Sequence, residues 1–120
     1  DCRTTGTVMD GASETEIWNK GLKGQGQVVG FADTGVDLDS CYFKDGDGQW
    51  PKFCAGSGAM PNCVNFATRK VISYRAFRNR QTDYSDHYGG HGTHVAGSIA
   101  GNFLIDEETP GYSKYNGAAP

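Results

Sequence analysis

Gly89-Gly90-His91-Gly92-Thr93-His94-Val95-Ala96-Gly97-Ser98 sets an imidazole at the start of a helix, among glycines that let other backbone approach closely. The spacing predicts a helix over His91 to Ala100, with Val95, Ala96, Ile99 and Ala100 as its apolar stripe and Gly101 at its stop. Upstream, Val28-Val29-Gly30-Phe31-Ala32 is a short apolar run without alternation, the pattern of a strand buried on both faces. Asp33 follows at once, at the carboxyl end of that strand, where open α/β sheets place their chemistry.

Working outward, Ser13-Glu14-Thr15-Glu16 reads as a capping box for a helix that carries Ile17 and Trp18 and stops at Gly21. Gly24-Gln25-Gly26-Gln27 is a turn. The stretch from Leu38 to about Thr68 has no strong periodicity and reads as a long cross-linked loop or a small insertion. Tyr42, Phe43, Trp50, Phe53 and Phe66 weigh against disorder there. Val71 to Phe77 is the second strand, Arg78 to Tyr88 a polar approach loop, and Phe103 to Asn116 another polar loop before Gly117-Ala118-Ala119-Pro120. The order is helix, strand, strand, helix. Parallel strands need crossovers and covering helices on both faces, so these elements read as the front of a larger doubly wound sheet.

The 120 residues suffice for one domain with a core, although only 37% are hydrophobic and 18 are glycine. A net charge of -3 gives no basic footprint, which argues against nucleic acid as a partner. No apolar run approaches the roughly 18 residues of a spanning helix, so membrane insertion is not expected. The sequence starts at Asp1-Cys2 without an initiator Met or signal peptide, which suits a mature, internally processed or excised segment. Cys2, Cys41, Cys54 and Cys63 allow two disulfides in any of three connectivities. Three of them fall in the apolar-poor segment that a cross-link would help most. Their spacings lack the close pairs of a zinc site, so disulfides and an oxidising compartment are favoured over free thiols.

Asp33 and His91 are candidate catalytic residues. A carboxylate on one imidazole nitrogen fixes the tautomer and leaves the other nitrogen as a base. The positive helix end disfavours the imidazolium while Asp33 favours it, which leaves the base poised near neutrality. Gly92 would remove a side chain that crowds an incoming substrate. Alone, Asp33-Thr34-Gly35 is also an ordinary turn, because Asp bonds nearby amides and Gly allows positive φ. His87, His91 and His94 share one helical face only if the helix includes His87, and Gly89-Gly90 argues against that. His91 also lacks the neighbouring Glu of the His-Glu-x-x-His zinc signature. His94 then reads as a structural helix residue and His87 as a loop residue.

Together the two motifs, about sixty residues apart, are far more specific than either alone. The sequence resembles the subtilisin-like serine proteases (subtilases, peptidase family S8), over Gly24 to Asp39 and Lys70 to Pro120. The phrases Gly24-Gln-Gly-Gln-Val-Val-Gly-Phe-Ala-Asp-Thr-Gly-Val-Asp and Gly90-His-Gly-Thr-His-Val-Ala-Gly-Ser-Ile-Ala-Gly-Asn are similar to its Kp43-like branch. Gly117-Ala-Ala-Pro is similar to the family's Gly-x-Ala-Pro, which leads into the next strand.

The resemblance implies the N-terminal part of a subtilase catalytic domain over 1–120, with a Cys-containing insertion at about 40–68. The fold would be α/β, a three-layer, doubly wound parallel sheet of the subtilisin type, incomplete in this chain. Asp33 would be the orienting acid and His91 the general base of a serine endopeptidase. The nucleophilic serine belongs to a Gly-Thr-Ser-Met-type motif that these residues do not contain. A C-terminal part of the protease domain carrying it is therefore the expected partner, with a polypeptide as substrate and a secreted or lumenal location. The chemistry requires no cofactor. Asp37, Asp39 and Asn102 are the residues the family pattern offers for a structural calcium; otherwise they are solvated turn residues. The chain alone is expected to be inactive and unstable. The competing reading is a non-catalytic, subtilase-derived module used for binding or structure, and a third is zinc-dependent hydrolysis.

Overall fold

Trp18, Gly21 and the glycines that follow build the first of the described elements. The computed structural model describes residues 16–45, 48–55, 63–76, 84–103 and 116–120. Helix α1, Glu16–Asn19, is a single turn. It stops at Gly21, whose φ of 81° turns its amide back onto the Trp18 carbonyl at 2.9 Å. Ser13, expected as its cap, lies outside the described residues. The expected turn at Gly24 closes through a bond from Gln27 N–H to Gly24 O of 3.0 Å.

Strands β1 (Lys52–Ala55) and β2 (Ser73–Ala76) pair in parallel, with Lys52 opposite Ser73 and Ala55 opposite Ala76. The element order is the expected one, yet the first strand is a different segment. Val28 to Ala32 pairs with nothing among the described residues, and Val28 and Val29 are 70% and 58% exposed. An apolar run becomes a strand only when a neighbour takes up its backbone donors and acceptors, and no described segment does so here. β1 instead lies inside the segment read as loop or insertion. Its short Lys-Phe-Cys-Ala sequence carries no period, and it is held by β2 and by the Cys54–Cys63 disulfide, with Cα atoms 6.0 Å apart. Cys41 is disulfide-bonded too. The second expected strand is present in shortened form as β2, and Phe77 lies outside the described residues.

The core gathers Val36, Leu38, Tyr42, Phe43, Tyr74 and Ala96, with Phe53, Tyr84 and Phe103 packed against it. Phe53 of β1 stacks on Tyr74 of β2 at 5.7 Å, and Tyr84 meets both rings edge-on at 5.4 Å. Tyr74 also uses its hydroxyl, which accepts from Val36 N–H at 3.3 Å and donates to Ser85 O at 3.4 Å. One strand residue thereby ties the chain after Asp33 to the chain before His91.

Arg69 joins three further segments. Its guanidinium donates to the carbonyls of Tyr42 and Lys44, each at 3.2 Å, and of Asn102 at 3.4 Å. Its own amide donates to Asp45 at 2.6 Å. Replacing Arg69 by Met keeps the apolar stem but strips donors from the part-buried carbonyls of Tyr42 and Asn102, at an expected cost of about 1–3 kcal/mol. A lower thermal unfolding temperature for Arg69→Met measures this; an unchanged one contradicts it.

Helix α2, His91–Ala100, has the expected bounds. Its C-terminal carbonyls are satisfied by the chain's last residues: Gly117 N–H bonds Gly101 O at 2.8 Å, Ala118 N–H bonds Ser98 O and Ala119 N–H bonds Ile99 O, both at 2.9 Å. Trp18 Nε1–H donates to Ala118 O at 3.0 Å, which fastens α1 to the same segment. A parallel pair of strands and a helix that contribute to one core are α/β architecture, here a small part of a sheet.

Candidate active site

The Asp33-Thr34-Gly35 turn lies against the first turn of α2. His91 Nδ1 is 2.7 Å from Asp33 Oδ1, so the structure brings the two candidate catalytic residues together across 58 residues of sequence. An ionised carboxylate only accepts, so Nδ1 must carry the proton and donate it to Asp33. The other ring nitrogen, Nε2, is then the basic one in the neutral imidazole. The His91 side chain is 71% exposed and that of Asp33 17%.

Two glycines allow this approach. A Cβ on Gly92 would overlap the Gly35 carbonyl oxygen and stand 3.1 Å from Asp33 Cβ. A Cβ on Gly35, whose φ is 142°, would stand 2.5 Å from Ser85 O and 3.2 Å from Asp86 Cα. Gly92 thus makes room for the Asp33 turn itself, whereas the sequence had pointed to room for a substrate.

Gly90 caps α2 with φ 80° and ψ 15° and has no side chain to bond the free amides of the first turn. Those amides are met from elsewhere. Thr34 Oγ1 accepts from Gly92 N–H at 2.9 Å, and Asp86 Oδ2 accepts from Thr93 N–H at 3.0 Å. Asp86 lay in the polar approach loop and was not singled out from sequence. The signal available was an acid shortly before a helix whose cap position is glycine.

The bond to His91 and the Thr34 amide, at 2.7 Å, hold the Asp33 carboxyl below its ordinary range. The same Asp33 bond and charge, with a smaller part from Asp86, raise His91 above its ordinary value of 6.5 against a small opposing effect of burial. The balance expected from sequence therefore falls on the side of the imidazolium.

The other expected residues do not join this pair. His94 is exposed on α2. His87 bonds Ser85 Oγ through Nε2 at 2.7 Å. Among the described residues no three His, Cys, Asp or Glu side chains gather where they could hold a metal ion. Asp37 and Asp39 adjoin, with Asp39 N–H donating to Asp37 Oδ1 at 3.0 Å. Asp37 N–H bonds Thr93 Oγ1 in the first turn of α2, while Asn102 follows its last turn, about 13 Å of helix rise away. The Asn102 carbonyl also faces the Arg69 cation. These three residues do not fit one calcium ion.

An Asp on the Nδ1 of a His at a glycine-rich helix start is the pairing the sequence motifs imply. The subtilase family model matches residues 24–119. The chain belongs to the subtilase family. It is 37% identical over 109 residues to the serine protease/ABC transporter B family protein tagA of Dictyostelium discoideum, covering 90% of the chain and 5% of that protein. It is 32% identical over 125 residues to the subtilisin-like protease SBT1.9 of Arabidopsis thaliana, covering 90% of the chain and 17% of that protein. The subtilisin-like protease Glyma18g48580 of Glycine max is 33% identical over 110 residues, 76% of the chain and 14% of that protein. This subtilase chain thus spans a small part of the length of the curated relatives it matches. No solved structure matches it. Among the described residues no helix is long and apolar enough to cross a membrane.

Proposed function

We propose that this chain is the acid–base part of a secreted or lumenal serine endopeptidase, with Asp33 as orienting acid and His91 as general base. The observation that carries the reading is the 2.7 Å bond between Asp33 Oδ1 and His91 Nδ1 beside an exposed imidazole face. In the reaction, His91 Nε2 takes the proton of a serine hydroxyl as its oxygen attacks the scissile carbonyl carbon. His91 then passes that proton to the leaving amine as the peptide C–N bond breaks, and Asp33 stabilises the imidazolium between the two steps. The serine and the oxyanion donors come from polypeptide outside these 120 residues. Exposed Val28, Val29 and Phe31, close together in sequence, support that reading, because no described residue covers this apolar run. The disulfides support an oxidising compartment. As a free unit the 120 residues should hydrolyse no peptide, since neither nucleophile nor oxyanion hole is in place.

The test is the pH profile of peptide hydrolysis by the polypeptide that includes the serine. The base works only when neutral, so kcat/KM should rise with pH along a limb centred above 6.5, the ordinary value from which Asp33 raises His91. A limb at or below that value contradicts the assignment, and absence of hydrolysis leaves a binding or structural module. The stability linkage has its own signs. His91's share is full below about 6.5 and is lost as pH rises through its raised value. Asp33's share is present above about 3.8 and is lost as pH falls through its lowered value. Between those limits both act, and the 71% exposure of the imidazole keeps the effect on stability small.

A further inference from the structure

Asp86 is surrounded by donors. Its Oδ1 accepts from Thr34 Oγ1 at 2.9 Å and from Tyr88 N–H at 3.2 Å. Its Oδ2 accepts from Thr93 N–H and Thr93 Oγ1, each at 3.0 Å. Both threonine hydroxyls are committed on their accepting side as well: Thr34 Oγ1 takes Gly92 N–H at 2.9 Å and Thr93 Oγ1 takes Asp37 N–H at 3.0 Å. Each hydroxyl has one proton and gives it to Asp86. The polarity of the whole network is therefore fixed, and it closes only on a group that accepts through both oxygens.

Thr34 follows Asp33 in the chain, and Thr93 lies two residues beyond His91. We propose that Asp86 is a positioning residue of the peptidase, which clamps Thr34 to Thr93 and thereby holds Asp33 on the Nδ1 of His91. The proposal rests on the reading of Asp33 and His91 given above. Asp86 touches neither the reacting atoms nor the imidazole; it acts through the two threonines. Burial alone would raise its pKa, but the amide of Thr93, the hydroxyl of Thr34, the amide of Tyr88 and the Thr93 hydroxyl outweigh this and keep it ionised.

Asn is the same size as Asp and fails for a chemical reason. One of its two terminal atoms becomes an NH2 donor, and either position already faces two donors. The serine-bearing polypeptide with Asp86→Asn should therefore lose about 10²-fold in kcat, the scale of a misplacement of roughly 1 Å in a catalytic group, with KM little changed. Thr34→Val opens one arm of the clamp and leaves the Asp86 charge in place, and Thr34→Ser keeps the hydroxyl. Titration of the His91 ring by NMR reads the clamp without any need for activity. In both Asp86→Asn and Thr34→Val the His91 pKa should fall toward the ordinary imidazole value of about 6.5, and in Thr34→Ser it should stay at its raised value. Because Thr34→Val removes no charge, a fall there reports the loss of the Thr34 hydroxyl's contacts and not of the Asp86 charge. An unchanged His91 titration in Thr34→Val overturns the proposal, as does a kcat loss in Asp86→Asn that only tracks the loss of folded protein. Absence of hydrolysis by the unaltered polypeptide would instead refute the peptidase reading, while the titrations would still decide the role of Asp86.

Discussion

Asp33→Asn in the serine-bearing polypeptide should lower kcat by roughly 10⁴-fold, with little change in KM or in thermal stability. The loss follows from the charge held at a single bond. Asp33 Oδ1 accepts from His91 Nδ1 at 2.7 Å and from Thr34 N–H, also at 2.7 Å. Because the carboxylate cannot donate, the neutral imidazole must be protonated on Nδ1, with its lone pair on Nε2, where a serine proton has to go. An amide oxygen in the place of Oδ1 accepts both bonds but carries no charge, so the imidazolium formed during the reaction loses the carboxylate that stabilises it. His91→Ala removes the base itself and should cost at least as much. The small change in stability follows from exposure: 71% of the His91 side chain is open to solvent, where such a pair stabilises little. Peptide hydrolysis and thermal melts on the same samples check both halves. A variant that keeps most of its kcat, or that loses activity only because it unfolds, contradicts the assignment.

The second large effect separates two glycines of one helix. Gly92→Ala should destabilise the protein by about 1–3 kcal/mol and displace the Asp33 turn far enough to lose about 10²-fold in activity. Its new methyl group would overlap the Gly35 carbonyl oxygen and stand 3.0 Å from the Gly35 nitrogen. Those are backbone atoms, and they cannot retreat, because a Cβ on Gly35 would itself meet Ser85 O at 2.5 Å and the Tyr74 hydroxyl at 3.2 Å. A Cβ on Gly97 meets nothing within 4 Å. Gly97→Ala should therefore raise stability by roughly 0.5–1 kcal/mol, the ordinary gain of Ala over Gly inside a helix. Denaturant melts of the two variants should shift in opposite directions. Equal shifts would show that packing against the Asp33 turn does not set the cost.

The contrast between these glycines also marks what the sequence could and could not convey. Helix α2 was legible to the residue, since Gly89-Gly90 and Gly101 punctuate a clear apolar stripe. Asp33 and His91 were legible as a pair because each sits at the end of a recognisable pattern. Their partners Thr34, Asp86 and Thr93 were not, because a threonine or an acid in a polar loop reads as a solvated turn until the helix amides it meets are known. The sheet was the least legible part. Val28 to Ala32 has the composition of a buried strand, yet a strand is a relation between segments, and its ladder partners are not among the described residues. Lys52–Ala55 has no strand signature of its own and is made a strand by β2 and a disulfide. Apolar patterning reports which face wants burial; it does not report what is there to bury it.

The most direct measurement is the rate of labelling by a fluorophosphonate, a reagent that reacts with an activated serine, on the native serine-bearing polypeptide and on its His91→Ala variant. The Asp33–His91 assignment requires one serine to be labelled in the native protein, and the rate to fall by several orders of magnitude when the imidazole is removed. A native protein that takes no label, or takes it equally fast without His91, would contradict a hydrolytic role for this pair.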